Sequence, residues 1–151
     1  LNIITKLIIS VNIIFLISNN INYITLKKHK QRLYLPFMKP AEVNQKFKAL
    51  QAKLANQFDN DLPDIKVILF LIGVQELGKG PRKFSKRQKE ELMHIANCRL
   101  FSELGFYELE GLDQDGWPHW KLVKPVPSYA LMEQELLLKG LAITYFEDIY
   151  S

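Results

Sequence analysis

The sequence is poor in cysteine: Cys98 stands alone among 151 residues. No intrachain disulfide can form, and nothing in the composition asks for an oxidising compartment. Acidic residues are missing altogether from residues 1–37, which also lack Gly and Ala. No Gly-rich nucleotide fingerprint, no GxxxxGK[ST] phosphate loop and no nucleophile elbow is present. No internal repeat or low-complexity segment follows residue 37. These gaps remove the nucleotide-binding and serine-hydrolase classes that sequence motifs reveal.

A clean membrane span is missing too. Residues 7–26 are apolar, but Asn12, Asn19, Asn20 and Asn22 interrupt them. No small-residue cleavage site marks a secretory signal. The bias to Ile, Asn, Leu and Lys is what translated AT-rich noncoding sequence gives. The first Met is Met38, just before a good helix start. Residues 1–37 are therefore expected to lie outside the natural protein or to be poorly ordered. The rival reading is a signal anchor over 7–26. Lys27, Lys28, Lys30 and Arg32 would then keep the following domain cytoplasmic. Both readings put residues 38–151 in the cytosol, with no membrane contact unless the leader is real.

What remains has room for a single domain. All 16 acidic residues and 15 of the 20 basic ones lie in 38–151, leaving that part near −1. The high pI of about 9.1 belongs to the leader. It does not argue for nucleic-acid binding by the domain, which is read as improbable.

Nine large apolar side chains crowd residues 65–77: Ile65, Val67, Ile68, Leu69, Phe70, Leu71, Ile72, Val74 and Leu77. Burying each contributes about 2 kcal/mol. Ordering each residue costs about 1.5 kcal/mol. The two nearly cancel, so other elements must enclose this stretch. Its β-branched content suits a strand. Asp61 as a cap, Pro63 in the first turn and Gly78 at the end favour a helix over residues 62–77. Gly73 would let another backbone approach it closely.

Three amphipathic helices are expected around it. Val43, Phe47, Leu50, Leu54 and Phe58 recur at steps of three and four after Pro40. Ser85 and Gln88 form a capping-box pair opening a helix over 86–104, with Leu92, Met93, Ala96, Leu100 and Leu104 inward. Gly105 ends it, and Phe106 is placed for the hydrophobic contact beyond the cap. A last helix runs from a Ser128 cap to Ile149 with a wide apolar perimeter. Between the third and fourth helices, alternating residues and the turn signal Asp115-Gly116 predict a two-stranded β-hairpin over 106–123. The fold class is thus mainly α, a compact four-helix domain around a buried central helix, with one hairpin.

Candidate functional residues are scattered. Six basic residues lie between Lys79 and Lys89. Of these, Lys79, Arg82, Lys83, Lys86 and Arg87 are candidate anion contacts, because they lead into a helix N-terminus. The competing reading is a solvated loop. Arg87, Glu91, His94 and Cys98 share a helical line. Glu91 and His94 have the Glu-x-x-His spacing of di-iron bundles, but no second copy exists. His94, Cys98 and His119 are weak metal candidates, one ligand short of a structural zinc site. No metal and no cofactor is expected. Asp113 and Asp115 resemble a calcium loop, but Gly116 comes too early and no Glu closes it. Trp117 and Trp120 flank a Pro-His and either line a pocket or clamp the hairpin to the helices. Tyr145 and Phe146 on the last helix are candidate contacts for a protein partner or a second copy.

The reading that follows is a small cytosolic, non-catalytic protein-interaction domain. The alternative is an enzyme, metal-dependent or not, using Glu76, Glu91, His94 or His119 on an anionic substrate held by the basic loop. It requires His94 and His119 to lie within a few ångströms of each other in one pocket with Glu76 or Glu91. A second alternative is a nucleic-acid accessory protein using the basic loop. A chain of residues 38–151 is expected to fold without the leader, with a helical circular-dichroism spectrum and a defined subunit mass in native mass spectrometry.

Overall fold

The computed structural model describes residues 39–56, 61–80, 82–129 and 131–150. Among them, four helices and one antiparallel hairpin follow in the order expected. We number the helices α1 (Pro40–Ala55), α2 (Ile65–Leu77), α3 (Lys86–Ser102) and α4 (Leu131–Ile149), and the strands β1 (Tyr107–Leu112) and β2 (Pro118–Leu122).

Pro40 opens α1, where its missing N–H costs nothing. Val43, Phe47, Leu50 and Leu54 are buried along one face. The helix stops at Ala55, short of residue 58, and Phe58 lies outside the described residues. Gln51, at the border of the apolar face, donates from Nε2 to the Pro63 carbonyl at 2.8 Å. That bond ties α1 to the entry of α2.

The apolar stretch is a helix. Asp64, not Asp61, caps it, accepting from the Val67 N–H at 2.8 Å. Gly78 ends it in the left-handed conformation, φ 66°. Signals at both ends thus outweigh the β-branched interior. Ile68 and Ile72 are fully buried. α2 packs chiefly on α3, while α1 lies mainly on α4. The far flank of α2 is therefore covered less well: Ile65, Phe70, Leu71 and Val74 are half-buried and Val67 is 40% exposed.

Gly73 faces the Leu92 backbone of α3. A Cβ built there would lie 2.6 Å from the Leu92 carbonyl carbon and 2.9 Å from its Cα, and would overlap the carbonyl oxygen. Only a residue without a side chain permits this approach.

The Ser85–Gln88 capping box is present in both directions. The other end of α3 is a Schellman turn: Phe106 N–H reaches the Phe101 carbonyl and Gly105 N–H the Ser102 carbonyl, with Gly105 at φ 72°. Phe101 and Phe106 meet edge to face at 6.1 Å, as the pattern predicts. The buried set on α3 is wider than its spacing suggests. Ile95, Cys98 and Phe101 join Leu92, Ala96 and Leu100, whereas Met93 and Leu104 are half-buried. The hairpin also packs on α3 and adds to the surface covered there.

The strands pair antiparallel from Tyr107↔Leu122 to Leu112↔Pro118, with an irregularity between Leu109 and Gly111. The helix α4 begins at Leu131, three residues beyond the expected Ser128 cap. Its second half fills the core with Leu141, Ala142, Ile143, Tyr145 and Phe146. Its first residues, Leu131 and Met132, are more than four-fifths exposed. No described helix is long and apolar enough to cross a membrane.

Gly73→Ala is expected to destabilise the fold by about 1–3 kcal/mol, since α2 and α3 must separate to admit the methyl group. Urea unfolding followed by far-ultraviolet circular dichroism will read the loss.

Candidate functional site

The first half of α3 and the turn of the hairpin enclose an open cleft of about 640 Å³. One wall comes from α3, with Arg87, Glu90, Glu91 and His94. The other is the hairpin, with Asp113, Asp115, Trp117, His119 and Trp120. Buried Ile95 and Pro118 contribute apolar surface between them.

Asp113 organises the hairpin wall. Its Oδ1 accepts from the Trp117 N–H at 2.8 Å, and its Oδ2 lies 3.3 Å from His119 Nε2. Its own N–H donates to the Trp117 carbonyl, and its carbonyl accepts from the Gly116 N–H. These bonds fold residues 113–117 into a closed turn with Gly116 at φ 74°. The Trp117 amide and then the His119 ring hold the Asp113 carboxyl below the usual carboxylate range. The turn is braced from outside by Lys79, whose Nζ donates to the Asp115 carbonyl.

Three of the four acid–base candidates meet here. Glu91, His94 and His119 all line the cleft. Glu76 does not. Its Oε1 accepts from the Tyr145 hydroxyl at 2.7 Å and lies 3.5 Å from Arg99 Nε. The Arg99 guanidinium also pairs with Glu103 at 2.5 Å. This network joins α2, α3 and α4. Burial, and then the Glu76 carboxylate, push the Tyr145 hydroxyl far above its ordinary range. Tyr145 and Phe146, expected as partner contacts, are core residues at 7% and 8% exposure. Their place on α4 turns them toward the other helices.

Cys98 is also inside, at 1% exposure. Its Sγ is 3.5 Å from His94 Nε2. Burial pushes the thiol up to about 11, so it stays protonated at neutral pH. A protonated, enclosed thiol is a poor nucleophile and a poor metal ligand. Among the described residues, no three His, Cys, Asp or Glu side chains converge as a metal site.

The basic candidates divide. Lys79 and Arg82 line a second recess of about 580 Å³. It shares Gln88, Asp115 and Trp117 with the first. Arg82 lies 5.1 Å from the Phe84 ring, and Arg87 Nε is 3.5 Å from Glu91. Lys83 and Lys86 are exposed and line neither recess. Trp117 and Trp120 are both half-buried, and both line the cleft. Two buried polar side-chain atoms have no hydrogen-bond partner among the described residues, Asn97 Oδ1 and Trp120 Nε1.

No known protein family, curated protein or solved structure matches the chain.

Sequence reasoning overlooked Glu90 and gave Asp113 no role once the calcium loop was rejected. The signal for Asp113 was the Asp-x-x-Gly-Trp spacing, which suits an aspartate closing its own turn.

The Cys98 thiol is expected to react with a disulfide reagent at pH 8 at least 100-fold more slowly in the native protein than in urea. The sign of the pH effect follows from the raised value. Below about pH 9 the thiol is neutral in both states. Above it only the unfolded chain ionises, so stability falls as pH rises from about 9 through 11. Cys98→Ala should flatten that part of the curve.

Proposed function

We propose that this chain is a cytoplasmic, non-catalytic interaction domain that takes a polypeptide segment in the cleft between α3 and the hairpin. The observation that carries the reading is that both tryptophans of the chain line this one cleft. Charged and imidazole side chains rim it, and these remain well exposed: His119 at 63% and Glu91 at 47%. Half-buried aromatic anchors with a wet polar rim are the anatomy of a recognition surface. Acid–base catalysis gains most where water is shut out, because charge stabilisation weakens as the local dielectric rises. The buried thiol adds no nucleophile. The single cysteine, which can form no intrachain disulfide, supports the location.

A second reading is favoured by one contact. The Asp113–His119 pair at 3.3 Å orients an imidazole toward acid–base chemistry, and His94 and Glu91 share its cleft. On that reading Lys79 and Arg82 hold the anionic end of a substrate. Turnover of phosphate or carboxylate esters, abolished by His119→Ala, would establish the enzyme instead.

Selection from a random dodecapeptide library on the purified full chain tests the first reading. Selected peptides are expected to bind wild type at least 10-fold more tightly than Trp117→Ala, a loss of about 1.4 kcal/mol or more, in the range for an aromatic anchor. The variant should keep its helical spectrum. Peptides that ignore the substitution, or no selected peptides at all, would reject the proposal.

A further inference from the structure

The charge pattern around the cleft names its occupant, provided the interaction reading above holds. Four carboxylates line it, those of Glu90, Glu91, Asp113 and Asp115, against one guanidinium, that of Arg87, and two imidazoles, those of His94 and His119, the latter 3.3 Å from Asp113. Arg87 is already offset by Glu91, with Nε 3.5 Å from Oε1. The Asp113 carboxylate is held in place by the Trp117 amide. Between these acids stand two indole rings, the best π-faces for a cation. The adjoining recess has the opposite sign. Lys79 and Arg82 line it, and Gln88, Asp115 and Trp117 belong to both. The two recesses together make one groove, acidic and aromatic at one end, basic at the other.

We infer that the occupant is a polypeptide segment carrying a lysine or arginine with an acidic residue close to it in sequence. The basic side chain enters between Trp117 and the Glu90–Glu91 wall. There it exchanges water for carboxylates and a ring face, which an uncharged side chain cannot do. The acidic neighbour lies over Lys79 and Arg82. A uniformly basic segment is disfavoured by the Lys79 end, and a uniformly acidic one by the α3 wall. The same opposition separates this site from nucleic acid, whose phosphates would meet the four carboxylates.

Trp117 and Trp120 are the only two tryptophans, so indole emission reports on this groove alone. The test takes the tightest dodecapeptide from the library selection and titrates it into the full chain by tryptophan fluorescence. The selected set is expected to be enriched in Lys or Arg beside Asp or Glu. Replacing the basic residue of the peptide by Gln should weaken binding at least 10-fold. The paired substitution Glu90→Gln with Glu91→Gln should weaken the parent peptide by a similar factor and leave the Gln peptide unchanged. Selected peptides without this charge pair, or equal losses for both peptides, would overturn the inference and leave the interaction domain standing. Failure to select any Trp117-dependent peptide would remove both.

Discussion

Gly73 against the Leu92 backbone is the contact on which the rest of this molecule depends. It brings two helix backbones together where any side chain would hold them apart. With α3 seated on α2 along Leu92, Ala96 and Leu100, its opposite side is committed to facing the hairpin. That side carries Glu91, His94, Ile95 and Cys98. The cleft is therefore an outcome of helix packing: its helical wall is the part of α3 that α2 does not take. The Schellman turn at Gly105 then sends the chain back along α3. Val123 N–H closes on the Phe106 carbonyl to fix the base of the ribbon.

Much of this was legible beforehand because it is written in local chemistry. A capping box, a left-handed glycine at each of two helix ends and a Phe-Phe contact across one of them are short-range devices. They act whatever the rest of the chain does. The same locality explains the errors. Asp61 and Asp64 can both cap, and sequence alone does not say which residue first turns helical. Ser128 was a plausible cap, yet α4 starts only at Leu131. The burial of Cys98 was not legible, because the helical line it shares with Arg87, Glu91 and His94 is exposed at those three residues and enclosed only at Cys98.

The site was legible in parts and not as a whole. The Trp-Pro-His-Trp peptide and the Glu91–His94 pair each drew notice, on elements separated by more than twenty residues. Nothing in their spacing states that they face one another; only the reversal at Gly105 does. Glu76 misled for the converse reason. A lone glutamate near the end of an apolar helix looks available until Arg99 and the Tyr145 hydroxyl are found beside it. Tyr145 and Phe146 misled because a wide apolar perimeter does not reveal which part faces inward.

The strut from Lys79 to the Asp115 carbonyl has a consequence for control. This ammonium follows directly on the glycine that ends α2, so one flexible side chain joins the close of the core helix to the tip of the ribbon. Acetylation would remove its charge without altering any residue of the α3 wall. The Asp113 bonds to Trp117 and Gly116 would still close the turn. The folded interior, set by the close approach of Gly73 to Leu92, would be untouched.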